Sequence, residues 1–167
     1  MQRTRLDAME CPLARTVDRV GEWWSLLILR DAFHGLTRFD QFQKSLGVAP
    51  NILTRRLKSL VQAGLLEKRR YSERPARHDY VLTPAGRDFF PIVAALVAFG
   101  TRHFAPEGAA VQLADAGTGE ILEPILTDAR TGRPIALEAV AMVAGPAAGP
   151  EITERVALIA ALKELKP

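Results

Sequence analysis

RFDQFQKSLGVAPNILTRRLKSLVQAGLLEKRRYSERPARHDYVL, residues 38–82, is the stretch on which the fold turns. Phe39, Phe42 and Leu46 share one helical face, and Gly47 stands where a helix from Arg38 to Leu46 can end in a left-handed conformation. Val48 and Ala49 fill a short turn. Pro50 suits the opening of a second helix, because its missing N–H has no intrahelical partner at that position. Taking this helix to Ala63, a 3.6-residue period turns Leu53, Leu57, Leu60 and Val61 inward and leaves Asn51, Arg55, Lys58, Ser59 and Gln62 outward, with Thr54 and Arg56 on the flanks. Gly64 ends it. Leu65–Tyr71 and Arg77–Leu82 then read as strands around a turn at 72–76, with Arg74 and Arg77 near the tip and Pro75 limiting the loop. Two helices around a tight turn followed by a basic hairpin make a winged helix-turn-helix.

Charge follows the same division. Residues 1–104 hold 17 Lys and Arg against 10 Asp and Glu, and residues 105–167 hold 5 against 9, so a mild net +3 hides a polarised chain. Within residues 44–77 there are nine Lys and Arg and two acids, Glu67 and Glu73. Such focusing points to a polyanionic partner for the first part. With 167 residues, 48% of them hydrophobic, the chain can bury one core and a small appendage. The first residues contain no apolar h-region, and the longest apolar run, Ile92–Phe99, is too short for a membrane span, so the expectation is a cytoplasmic protein with no membrane partner. One cysteine, Cys11, excludes an intrachain disulfide and a cysteine-cluster metal site.

On either side of the winged segment lie apolar helices. Val17–Phe33 carries Val17, Val20, Trp24, Leu27, Ile28 and Ala32 at spacings of three and four, interrupted at Gly21. Trp23 and Trp24 are adjacent and cannot share a face; packing for both is the plainer reading, a domain or subunit contact for one the sharper. Thr83 and Pro84 open a further helix as N-cap and first residue, and Pro91 should kink or split it. Its Phe89, Phe90, Ile92, Val93, Leu96, Val97, Phe99 and Phe104 exceed what one small core needs, which argues for burial in a dimer.

The chain then changes character. Asp115-Ala116-Gly117-Thr118-Gly119 recurs thirteen residues later as Asp128-Ala129-Arg130-Thr131-Gly132. Each unit is a turn between strand-like runs, which predicts a three-stranded meander over about 111–143. GPAAGP at 145–150 reads as a hinge, and a final helix over about 152–165 has Glu151 and Glu154 near its start and Lys163 and Lys166 near its end. The expected class is thus mainly α with small β: a winged helix-turn-helix and dimerisation domain over 1–104, then an extension over 105–167.

Cys11-Pro12 before a helix, Gly21-x-Trp23 with Leu26 to Arg30, Arg38-Phe39, Leu53-Thr54-x-Arg56-Leu57-x-x-Leu60-x-x-x-Gly64-Leu65, Pro75 and Tyr80-x-Leu82-Thr83-x-x-Gly86 resemble the HxlR family of bacterial regulators, MarR-like in architecture. The match covers roughly residues 10–104. The resemblance implies a homodimer, joined through the N-terminal helix and the helices after the wing, that binds palindromic operator DNA as a transcriptional regulator, expected to be a repressor. Two-fold symmetry would set the half-sites about 34 to 36 Å apart. Family members usually carry Lys at the position of Glu22, so an acid there is a departure and Glu22 is left out of the site. Some members carry an extension with cysteine pairs like a zinc ribbon; the turns here have none, and a zinc site is not supported.

The residues expected to meet DNA are Arg38, Asn51, Thr54, Arg55, Arg56, Lys58, Ser59, Arg74 and Arg77. In some relatives a cysteine near Cys11 senses oxidants or electrophiles, and a helix N-terminus would favour its thiolate, whereas Asp7 and Glu10 would oppose it. A small half-buried residue is the preferred reading. A small-molecule effector could instead bind between the dimer helices and the core, lined by Trp23, Phe89, Phe90 or Phe99, although those residues read equally as packing. His34, His78 and His103 lack ligand spacing, Asp115 and Asp128 offer too few oxygens for calcium, and neither a phosphate loop nor a nucleophile elbow is present. No cofactor and no enzymatic activity are expected. The competing reading is a winged module that binds another protein and not DNA; nine basic residues on one recognition unit weigh against it.

Overall fold

The computed structural model describes residue 6 and residues 8–164. They form two compact units: residues 19–125, and residues up to 18 together with 126 onward. The elements are α1 (Pro12–Val20), α2 (Trp23–Phe33), α3 (Phe39–Leu46), α4 (Pro50–Gln62), β1 (Leu66–Glu73), β2 (Ala76–Leu82), α5 (Pro84–Asp88), α6 (Phe90–Phe104) and α7 (Pro150–Glu164). The class is mainly helical with one two-stranded antiparallel sheet. No helix among the described residues is long and apolar enough to cross a membrane.

In the larger unit the core is built from the predicted faces. Phe42 of α3 and Leu53, Leu57 and Leu60 of α4 lose all solvent contact, joined by Ile28 and Leu29 of α2, Val48 of the turn and Leu66 of β1. Gly47 ends α3 with φ 60°, a left-handed geometry that costs an L side chain roughly 1 kcal/mol or more, and its N–H reaches the Gln43 carbonyl at 2.9 Å. At the start of α3, the Gln41 side-chain oxygen accepts from the N–H groups of Thr37 and Arg38, both at 3.0 Å. The N-cap donor that the first turn leaves without a helical partner, and the one before it, are satisfied this way.

The hairpin differs from the expected one in its connection. β1 continues to Glu73 and β2 begins at Ala76, so only Arg74 and Pro75 link them. An irregularity at Tyr71 is the cause: the register passes from Arg70 opposite His78 directly to Ser72 opposite Arg77, and the residues after the bulge resume pairing. The other edge of β2 takes on a short partner that periodicity in the sequence does not reveal. Arg38 bridges to Asp79, the Tyr80 N–H donates to the Thr37 carbonyl at 2.7 Å, and the Thr37 hydroxyl donates to Asp79 Oδ1 at 2.9 Å.

After the wing, Thr83 caps α5: its Oγ1 accepts from the Gly86 N–H at 3.0 Å and donates to the Gly64 carbonyl at 2.6 Å. The expected break near Pro91 falls at Phe89, which separates α5 from α6 and is itself buried. Phe90 meets Phe33 of α2 edge-on, with ring centroids 5.3 Å apart.

The three-stranded meander does not form as a ladder. Each repeated turn is closed by one isolated antiparallel bridge, Ala114 with Ile121 and Thr127 with Pro134, and residues 137–139 make a 3-10 turn where the third strand was expected. At the first turn the next donor in line along the ladder is Pro124, which has no N–H, so that bridge does not extend. The turns themselves are as read: Asp115 Oδ1 accepts from the Gly117 and Thr118 N–H groups at 2.8 Å, and Asp128 Oδ1 accepts from Arg130 N–H at 3.0 Å while its Oδ2 accepts from the Thr131 hydroxyl at 2.8 Å. In the smaller unit α7 begins at Pro150, two residues ahead of expectation, and the Gly149 N–H before it donates to Glu10 Oε2 at 2.9 Å. Asp7, Leu165 and Lys166 lie outside the described residues.

Two measurements check this account. A Cβ on Gly86 would run into the Leu65 carbonyl, which is itself fixed by the Thr83 N–H at 3.1 Å, so Gly86→Ala should cost about 2 kcal/mol and lower the unfolding midpoint accordingly. Backbone N–H groups first, and for Asp128 also the Thr131 hydroxyl, hold the carboxyls of Asp115 and Asp128 below the usual range. Their contribution is therefore complete above the unfolded-state value near 4 and is lost as pH falls through the lower folded values, so NMR titration should show both turns loosening only in strong acid.

Candidate nucleic-acid interface

Burial of the Leu53, Leu57 and Leu60 ridge decides which side of α4 faces water. Asn51, Thr54, Arg55 and Lys58 are exposed together on that side, and Ser59 is half-buried at its edge. Short local bonds restrain the polar groups: the Thr54 hydroxyl donates to the Pro50 carbonyl at 2.8 Å, the Ser59 hydroxyl donates to the Arg55 carbonyl at 3.0 Å, and Asn51 Oδ1 accepts from the Ile52 N–H at 2.9 Å. Each hydroxyl oxygen keeps acceptor capacity, and the Asn51 NH2 keeps its donors. An exposed helix side that offers two long cations, an amide and a hydroxyl matches the donor and acceptor edges of a major groove.

Arg56 does not join this group. Its side chain is 11% exposed, and Nη2 lies 2.8 Å from Glu22 Oε2 at the start of α2. The guanidinium that the sequence assigns to DNA is thus turned to a carboxylate of its own chain. The acid at Glu22 stands out in the sequence as a departure, but nothing there pairs it with Arg56.

The wing supplies a second basic patch. Arg74 and Arg77 are exposed at and beside the turn. Arg38 has its guanidinium carbon 5.0 Å from the Tyr71 ring centroid and its Nε 3.9 Å from Asp79 Oδ1, a cation–π contact and an ion pair that hold the side chain against the hairpin. Arg38, Tyr71, Arg77, His78 and Tyr80 line an open cleft of about 520 Å³ at the wing base. Desolvation, then the neighbouring Lys68 and Arg70, lower the His78 imidazole below its usual value, and burial raises the Tyr80 phenol. Arg69 is tied to Glu67.

The four aromatic residues assigned to a pocket or dimer contact separate. Phe89 is buried in the core, whereas Trp23 is 72% exposed and Phe99 is 53% exposed, with Phe90 also exposed. Trp24 packs against the core, so the adjacent tryptophans do face different ways. An apolar cleft of about 260 Å³ lies elsewhere, between Val97 and Thr101 of α6 and Leu113, Ile121 and Leu122, and none of the four lines it. Cys11 is half-buried one residue ahead of α1, and its carbonyl accepts from the Arg15 N–H at 3.1 Å. Among the described residues, no three His, Cys, Asp or Glu side chains are grouped to hold a metal ion.

A buried helical triad carrying an outward basic helix and a basic wing defines the winged helix-turn-helix class. The model of the HxlR-like helix-turn-helix family matches residues 19–108, and the chain belongs to that family. The chain is 39% identical over 135 residues to Rv3095 of Mycobacterium tuberculosis, an uncharacterized HTH-type transcriptional regulator, covering 80% of this chain and 85% of that one. A candidate transcription factor of Pseudomonas aeruginosa has a solved structure that superposes with a TM-score of 0.64 at 51% identity, over 87% of this chain and 99% of that one. The redox regulator HypR in its reduced form superposes with a TM-score of 0.53 at 26% identity, over 58% of this chain and 99% of that one. The relatives are helix-turn-helix transcriptional regulators, the class to which this fold and surface correspond.

Arg55 is exposed, so Arg55→Ala should leave stability within about 0.5 kcal/mol of wild type. The same change should weaken DNA binding and make the salt dependence of log K shallower by about one per bound chain.

Proposed function

We propose that this chain is a sequence-specific DNA-binding transcriptional regulator that works as a homodimer on a palindromic operator and acts as a repressor. In this reading residues 1–104 bind DNA and dimerise, with α4 in the major groove, the wing on the flanking backbone, and residues 105–167 as an accessory extension. The observation that carries it is the side of α4 opposite the buried leucines, where Asn51, Thr54, Arg55 and Lys58 stand exposed together. Dimerisation draws support from α6, whose Phe90, Ile92, Leu96 and Phe99 remain exposed on a helix packed to α2, and from the exposed Trp23. So much uncovered apolar surface on two adjoining helices favours burial against a second copy.

Redox control is proposed alongside, set against the plainer reading of Cys11 as a small half-buried residue. HypR is a redox regulator with structures in reduced and oxidised forms, and Cys11 is the single thiol through which this chain could respond alike. One thiol per chain would act by modification or by an intermolecular bridge.

Gel shift with the DNA upstream of the protein's own gene, combined with sedimentation, tests the reading. A retarded complex containing a dimer is expected; a monomer that shifts no DNA at low salt would favour the protein-binding winged module instead. Oxidant should weaken the wild-type complex and leave a Cys11→Ser complex unchanged, and an equal response from both proteins would remove Cys11 from the mechanism.

A further inference from the structure

Arg56 and Glu22 stand apart from the rest of the basic segment. Arg56 lies between outward Arg55 and inward Leu57 on α4, a flank from which a long side chain can reach either solvent or the body of the domain. It takes the second course: the side chain is 11% exposed, Nη2 is 2.8 Å from Glu22 Oε2, and Nε is buried without a hydrogen-bond partner. Glu22 occupies the N-cap of α2 in extended geometry, just past the break at Gly21 that separates α1 from α2, and its carbonyl accepts from the Ser25 N–H at 2.8 Å. The pair therefore bolts the middle of the reading helix to the start of the helix beneath it.

We infer that Glu22 and Arg56 are a positioning pair for DNA reading, and that Arg56 acts through Glu22 and makes no phosphate contact. This rests on the DNA-binding reading above. The Leu53, Leu57 and Leu60 ridge sets the side of α4 that is buried, but apolar packing is non-directional and tolerates small rotations. A charge-assisted bond from a planar guanidinium is directional and fixes the roll that remains. The pairing also neutralises an acid next to a surface that must meet phosphate. Base-edge contacts need side chains placed to about 0.5 Å, whereas phosphate attraction survives larger displacements, so loss of the pair should affect sequence reading far more than general affinity.

The test measures affinity for the shifted upstream fragment and for unrelated DNA across a salt series, using full-length wild type, Glu22→Gln, Arg56→Gln and the double variant, with thermal unfolding in parallel. Each single variant should bind the upstream fragment about tenfold more weakly, the scale of one lost base contact, with binding to unrelated DNA within about twofold of wild type. The salt slope of Arg56→Gln should equal that of wild type, and the double variant should be no worse than either single one. A slope shallower by about one per subunit in Arg56→Gln, equal losses on both DNAs, or undiminished binding by Glu22→Gln overturns the inference. Should Arg56→Gln fail to fold, Glu22→Gln decides alone by the same affinity criteria. Wild-type protein that binds neither DNA refutes the DNA-binding reading itself, a result distinct from all of these.

Discussion

Burial of three leucines on one side of α4 is the constraint on which the rest depends. Leu53, Leu57 and Leu60 are wholly inaccessible, and each contributes about 1.5 to 3 kcal/mol by leaving water. A helix turns 100° per residue, so a slip of one position would bury Thr54 and Lys58, or Arg56 and Ser59, and expose the leucines. The apolar core thus does more than stabilise: it selects the polar residues that face out. Gly47 and Pro50 serve the same end by fixing where α3 stops and α4 starts, while Thr83 and Gly86 fit α5 tightly against the Leu65 backbone.

Charge is sorted on top of that frame. Arg56 is held by Glu22, Arg38 by Asp79 and the Tyr71 ring, and Arg69 by Glu67. Arg55 and Lys58 on α4 and Arg74 and Arg77 on the wing stay exposed. A count of basic residues therefore overstates the surface offered to a polyanion by Arg56, the one member of this set whose side chain is largely buried. The exposed aromatic and aliphatic residues of α6 tell a parallel story, since their number exceeds what the core takes up.

Most of the winged unit was legible in the sequence because its signals are local. Apolar spacing on α3 and α4, the glycine after α3 and the Thr83-Pro84 start of α5 each act within a few residues, and each stands where it was expected. Contacts between distant residues were not legible. The Arg38–Asp79 bridge joins positions 41 apart, and the Glu22–Arg56 pair joins positions 34 apart, so no periodicity announces either. The bulge at Tyr71 changed the wing's connection for a similar reason, because register is settled between strands and not within one. In the extension the turn chemistry was right, but strand pairing stopped at single bridges, at the first of which Pro124 removes the next donor.

Hydroxyl-radical footprinting of the upstream DNA by the purified full-length protein tests most directly that the outward side of α4 reads DNA as part of a symmetric dimer. The account predicts two protected patches on one face of the duplex, centred about one helical turn apart, whose protection fades steeply as salt is raised. Uniform protection along the fragment, or none at low salt with folded protein, would contradict it.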